Sequence, residues 1–171
     1  MKHRFLSRDI LILLSSFIIS RILLSLFHVN MDYDSVNVYW QYISMENLQH
    51  HLLKGVWYNH TQPPVFNLFL GTLIKLSGSY ASLIFPVVFK VITIVNVLLL
   101  YGTVKLLVTH SKIPLILSLI YMLSPATMIL ENELFYTTFI TMRCWLAAIT
   151  WFVSVKTNVT HLHGVSFCHY L

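Results

Sequence analysis

The chain has 171 residues, of which 57% are hydrophobic and 10% charged, with a mean hydropathy of +0.73 and a formal net charge of +5. Soluble domains carry about a quarter charged residues, so the composition excludes an ordinary water-soluble enzyme and indicates an all-α integral membrane protein. The basic excess is spread out rather than gathered with aromatics into a patch, which excludes nucleic acid as a partner. Cys144 and Cys168 occur in unrelated contexts and propose no disulfide framework.

The basic start, Lys2, Arg4 and Arg8, leads into an apolar run at about 9–28. That run is longer than a signal-peptide core, contains Arg21 and lacks a small-x-small cleavage site, so it reads as an uncleaved first span. A large loop follows, about 29–82. It begins with Asp32 and Asp34 and enters an apolar stripe at about 36–53, the pattern of an amphipathic helix. The next element, about 63–77, is introduced by Pro63-Pro64 and closed by Ser77-Gly78-Ser79. Its apolar run, 65–76, is only a dozen residues long and contains Asn67 and Lys75, which is short for a span of about 20. It reads as a juxtamembrane helix with proline in its first turn, where a missing amide donor costs little. Three longer apolar runs, about 83–108, 113–130 and 134–155, complete a set of four spans. The segment 156–171 is a polar tail that loses the membrane pattern.

Charge placement supports this assignment. With 63–77 on the surface, Lys2, Arg4, Arg8, Lys105, Lys112 and Lys156 share the cytoplasmic side. Five of the six acidic residues, Asp32, Asp34, Glu46, Glu131 and Glu133, then share the other. Were 63–77 a span, Lys105, Lys112 and Lys156 would move outward, against the positive-inside rule. Both termini are therefore expected in the cytoplasm.

Several residues have chemistry suited to a site. Asp32 and Asp34 at a membrane surface can deprotonate a hydroxyl, bind a metal or stabilise developing positive charge. They can equally form a solvated turn. Glu131 and Glu133 flank Asn132 at the outer junction of spans three and four, where they can hold a cation or mark a polar helix break. Arg21 and Arg143 lie at membrane depth, where ionisable groups are functional candidates. Glu131, Glu133 or a phosphate can pair with Arg21, and Arg143 can snorkel outward. His60 can contact an anionic head group or move a proton, and its plain role is that of an interfacial residue. His161, His163, Cys168 and His169 match no zinc spacing. No cofactor is indicated, and no metal site is assigned.

Taken together, the acid pair after span one, the aromatic loop, "WYNHTQPPVFNLFLG" and "SPATMILENELFYTTF" resemble the N-terminal part of polytopic GT-C glycosyltransferases. The likeness is to the protein O-mannosyltransferase and aminoarabinose transferase group, and it covers about residues 5–155. The acid motif is Asp-Tyr-Asp where the family often has Asp-Glu, and two residues, not one, separate His60 from the prolines. The resemblance implies an inverting transfer of a sugar, mannose being one candidate, from a polyprenyl- or dolichyl-phosphate donor to an acceptor hydroxyl. Asp34, with Asp32 as the alternative, matches the catalytic base. His60, Gln62, Arg21, Glu131 and Glu133 fall where substrate is bound. The implied partners are the lipid-linked donor, membrane lipids and an unidentified acceptor, in a bacterial plasma membrane or the endoplasmic reticulum. Family members have further spans, so the likeness also implies a truncated front end. A non-catalytic four-helix subunit or scaffold is the competing reading. A small transporter fits less well, because the charges gather at one face rather than along a midplane path.

Overall fold

The computed structural model describes residues 2–29, 43–58, 64–108 and 112–168, with the side chains of 2–7 and 156–168 excepted. Asp32, Asp34, His60 and Gln62 lie outside the described residues, as does the first part, 36–42, of the stripe at 36–53. The described chain is helical, with no strand. It comprises α1 (Lys2–Leu26), α2 (Met45–His50), α3 (Leu52–Tyr58), α4 (Pro64–Ser77), a 3-10 turn (Gly78–Tyr80), α5 (Ala81–Leu107), α6 (Ile113–Leu123), α7 (Pro125–Asn132) and α8 (Thr137–Cys168).

Three stretches, Arg8–Leu26, Pro64–Leu107 and Thr137–Val155, are long and apolar enough to cross a membrane. A fourth is available if α6 and α7, bent by 54° at their junction, count as one span. The 44-residue stretch Pro64–Leu107 is not a single rod. Phe69 and Phe89 are 20 residues apart, about 30 Å along a straight helix, yet their ring centroids lie 6.5 Å apart. The chain reverses at Gly78, whose φ of +51° is a backbone state that favours glycine. α4 therefore lies back against the start of α5.

The bend between α6 and α7 interrupts the straight helix expected at 113–130, and its cause is local. Pro125 has no amide hydrogen and holds the preceding residue out of the helical region. Ser124 is extended (φ −66°, ψ 140°), and its side chain accepts a hydrogen bond from the Thr127 amide at 3.2 Å. A serine N-cap followed by proline at the first helical position starts a new helix. In the loop layer, the stripe expected as one helix contains α2 and only the start of α3, with a break at His51 and α3 running on to Tyr58.

The helix directions follow from a few contacts. Tyr101 of α5 donates a hydrogen bond to Asp9 Oδ2 of α1 at 2.7 Å, and Arg21 of α1 meets Glu131 of α7. Asn96 of α5 donates to the Thr138 carbonyl of α8 at 3.0 Å, and Gly102 lies beside Ile149. α1 and α6 thus run one way and α5 and α8 the other. The bundle has an Arg21 end and an Asp9 end. One apolar core, with Leu13, Phe17, Val97, Tyr101 and Met122, joins α1, α5 and α6. A second core sits at the Arg21 end, where Ile43, Leu48 and Leu52 of the loop layer meet Phe66, Leu70 and Ile74 of α4 and Phe85 and Phe89 of α5. Phe139 is 4.7 Å from Phe69, 5.5 Å from Phe66 and 6.0 Å from Phe89 by ring centroid. Edge-on aromatic pairs at such spacings are favourable, and they tie α4, α5 and α8 together at one point.

Close approach of α3 to α4 depends on Gly71, because a Cβ there would strike the buried Leu52 side chain. Gly71→Ala is expected to destabilise the protein by roughly 1–3 kcal/mol through overpacking. Combining it with Leu52→Ala should cost less than the sum of the two single changes, as read by unfolding in a denaturing-detergent titration. Simple additivity would place the two residues out of contact.

Candidate functional site

The polar site best defined in the structure is built at the Arg21 end, where α1, the α6–α7 break and α7 converge. Arg21 is 7% exposed and Glu131 2%, so both charges are effectively removed from solvent. Arg21 Nη2 donates to Glu131 Oε2 at 2.6 Å. Nε lies 3.1 and 3.0 Å from Oε1 and Oε2. This is a forked, charge-assisted pairing of the strong kind. Nη1 donates to Ser20 Oγ at 3.0 Å and to the Met122 carbonyl at 3.3 Å. The guanidinium carbon lies 4.4 Å from the Phe17 ring centroid, one helical turn earlier on α1. Arg21 thereby supplies a donor to a carbonyl at the end of α6, where the break leaves such groups without helical partners. A cation there also complements the negative end of the α6 dipole.

Of the candidate ligands for Arg21 read from the sequence, Glu131 is the one it meets. Glu133 is half-buried just beyond α7 and makes no ion pair among the described residues. Arg143 is exposed on α8. The segments bearing Asp32, Asp34, His60 and Gln62 leave and rejoin described chain at this same end. Val29 follows the end of α1, its amide bonding to the Leu24 carbonyl, and the Ile43 amide donates to Asn67 Oδ1 of α4 at 3.2 Å. A cavity of about 120 Å³ lies nearby, between Met45 and Gln49 of α2, Leu70 and Ile74 of α4, and Phe85 of α5. Its lining is mostly apolar. Among the described residues no three His, Cys, Asp or Glu side chains converge as metal ligands.

Two features escaped the sequence reading. Asp9, Tyr101 and Lys105 form a polar chain at the opposite end, with Lys105 Nζ donating to the Tyr101 hydroxyl at 2.9 Å. The only hint was the four-residue spacing of Tyr101 and Lys105, which places both on one face of α5. The Met122 carbonyl was invisible because a backbone acceptor becomes available only once the helix break is known. Comparison of the chain with protein-family models, with curated proteins and with solved structures finds no match.

Removing either partner leaves the other charge buried and alone. Arg21→Met and Glu131→Leu should each cost about 3–5 kcal/mol, and the double variant should recover most of the loss. The exchange Arg21→Glu with Glu131→Arg should not recover it, because a carboxylate would then face the Met122 carbonyl. Unfolding midpoints in detergent check the set. A fully restored exchange variant would show that the carbonyl contact contributes nothing.

Proposed function

We propose that the chain is a multi-pass membrane protein with both termini cytoplasmic, and that it acts as, or forms the front part of, a glycosyltransferase using a polyprenyl- or dolichyl-phosphate sugar. The observation that carries this reading is the layer at the Arg21 end. There α4 folds back on the bundle beside α2 and α3, so the loop forms a partly apolar shelf instead of another straight span. Ile43, which follows the acid-bearing segment, and Tyr58 and Pro64, which flank the histidine-bearing one, belong to that shelf. A lipid-linked donor presents its reactive carbon at the membrane boundary, so a base must sit at the same depth. In this scheme the Asp34 carboxylate takes the proton of an acceptor hydroxyl. The acceptor oxygen then bonds to the anomeric carbon with inversion, and the polyprenyl phosphate departs with the electron pair of the broken bond. His60 and Gln62 are the candidates to meet the departing phosphate.

One observation favours the competing reading of a non-catalytic membrane subunit. Arg21, the cation that could have met a phosphate, is committed to Glu131, Ser20 and the Met122 carbonyl. In the transferase reading Arg21 and Glu131 therefore shape the site from beneath rather than touch the donor.

Transfer of label from a radiolabelled polyprenyl-phosphate mannose in sealed vesicles separates the two readings. Asp34→Asn should lower the rate by about a hundredfold or more, within the range for losing a general base. Glu46→Gln, on the exposed side of α2, should leave it unchanged. Equal rates in both variants would remove Asp34 as the base, and no transfer by the unsubstituted chain would favour the subunit reading. The shelf itself has a separate test. Single cysteines at Phe66 and Lys75 should react with an impermeant thiol reagent from the same side of the vesicle. Reaction from opposite sides would make α4 a span and end the transferase proposal.

A further inference from the structure

Among the described residues, α8 is answered by the rest of the chain along one side. Thr138, Met142, Trp145, Ile149 and Phe152 are buried or half-buried on the side that meets α5, and only 6% of its best apolar window is buried, against 33% for Pro64–Leu107. The opposite face carries Arg143 in its second turn. Its side chain is exposed and makes no hydrogen bond or ion pair with a described residue. Arg143 stands six residues into α8, about 9 Å along the axis. On the membrane reading proposed above, on which this inference rests, that is an unpaired cation facing hydrocarbon, an expensive placement that calls for a partner.

Three occupants have the right chemistry in principle, and the surroundings of Arg143 separate them. A second copy meeting this face about a two-fold axis would set Arg143 against Arg143, a like-charge contact that works against pairing. A lipid phosphate would draw the side chain along the helix toward Thr137 and leave the face beside it open. Beside Arg143, Cys144 and Ala147 are small and exposed and form a notch between the larger exposed Ile140 and Trp151, and small residues let another helix backbone come close. The chain's other arginine at this depth, Arg21, is already met by a carboxylate delivered from a different helix. The geometry points to the outward face of α8 as a docking surface for a transmembrane helix that carries an aspartate or glutamate level with Arg143.

The test uses the full chain, fluorescently tagged at its N-terminus, in zwitterionic phospholipid vesicles. The probes are two dye-labelled leucine–alanine helices of about 22 residues, identical except for one Glu or Gln placed about six residues from the end that matches the start of α8. Energy transfer should show the Glu helix binding at least tenfold more tightly than the Gln helix. In Arg143→Gln, whose exposed position spares the fold, that ratio should fall to near one. A ratio near one in the unsubstituted chain would overturn the proposal and leave Arg143 to lipid phosphate, as would a preference that survives Arg143→Gln. A Cys144–Cys144 disulfide formed on mild oxidation and not suppressed by the Glu helix would assign the face to a second copy. Extraction of the chain from the vesicles by an alkaline wash would instead defeat the membrane reading itself, a failure seen before any probe is added.

Discussion

The arrangement of the bundle turns on one buried ion pair. An arginine in the last two turns of α1 has no tolerable state among apolar helices unless a carboxylate and hydrogen-bond acceptors come to it. Glu131 comes to it only because the chain bends at Ser124-Pro125, so that α7 carries its acid back toward α1 instead of continuing the axis of α6. The same bend strips helical partners from carbonyls at the end of α6, and Arg21 takes up the one on Met122. Break and pair support each other: without the bend the acid points elsewhere, and without the arginine the bent end keeps a buried acceptor unsatisfied.

A second tie fixes α1 at its other end. Apolar packing alone defines the rotation and depth of a nearly uniform helix poorly, since one leucine face resembles another. Asp9 on Tyr101 and Arg21 on Glu131 are twelve residues apart, about 18 Å along the axis. Two directional contacts at that separation set both the depth and the rotation of α1 against its neighbours. Polar groups placed this way contribute register more than net stability.

Much of this architecture was legible from residue patterns, and the exceptions have physical causes. Apolar runs gave the helices, because a run of some twenty such residues has few other uses. Prolines at Pro63-Pro64 and the Ser77-Gly78-Ser79 stop gave α4 nearly to the residue. Arg21 needed an acid, and Glu131 was one of the two near enough in any four-span arrangement. The break at Ser124 was missed because hydrophobicity is continuous across it, although Ser-Pro followed by Thr127 carries the signature of a helix start. The direction of Arg143 could not be read either. Periodicity places residues on a common face, but which face of α8 meets α5 depends on the aromatic contacts of Phe139 and on Asn96 reaching Thr138. Both are products of tertiary packing. The residues proposed for chemistry, Asp32, Asp34, His60 and Gln62, lie outside the described chain, so their roles rest on the sequence pattern and on where their flanks are held.

The committed state of Arg21 bears on how any phosphate could be held at this end. Its guanidinium already has five close acceptor contacts to Glu131, Ser20 and Met122, and removing it from Glu131 would strand a carboxylate that is 2% exposed. A donor phosphate would need to repay that loss in the same apolar surroundings, which a screened, partly hydrated anion at the boundary cannot do. The charge that balances such a phosphate must come from groups already in contact with water. At this end of the described chain those include Lys54 on α3 and Lys75 on the last turn of α4, both exposed. On the proposed transferase reading, a lipid phosphate would therefore meet positive charge at the shelf rather than at the interior pair.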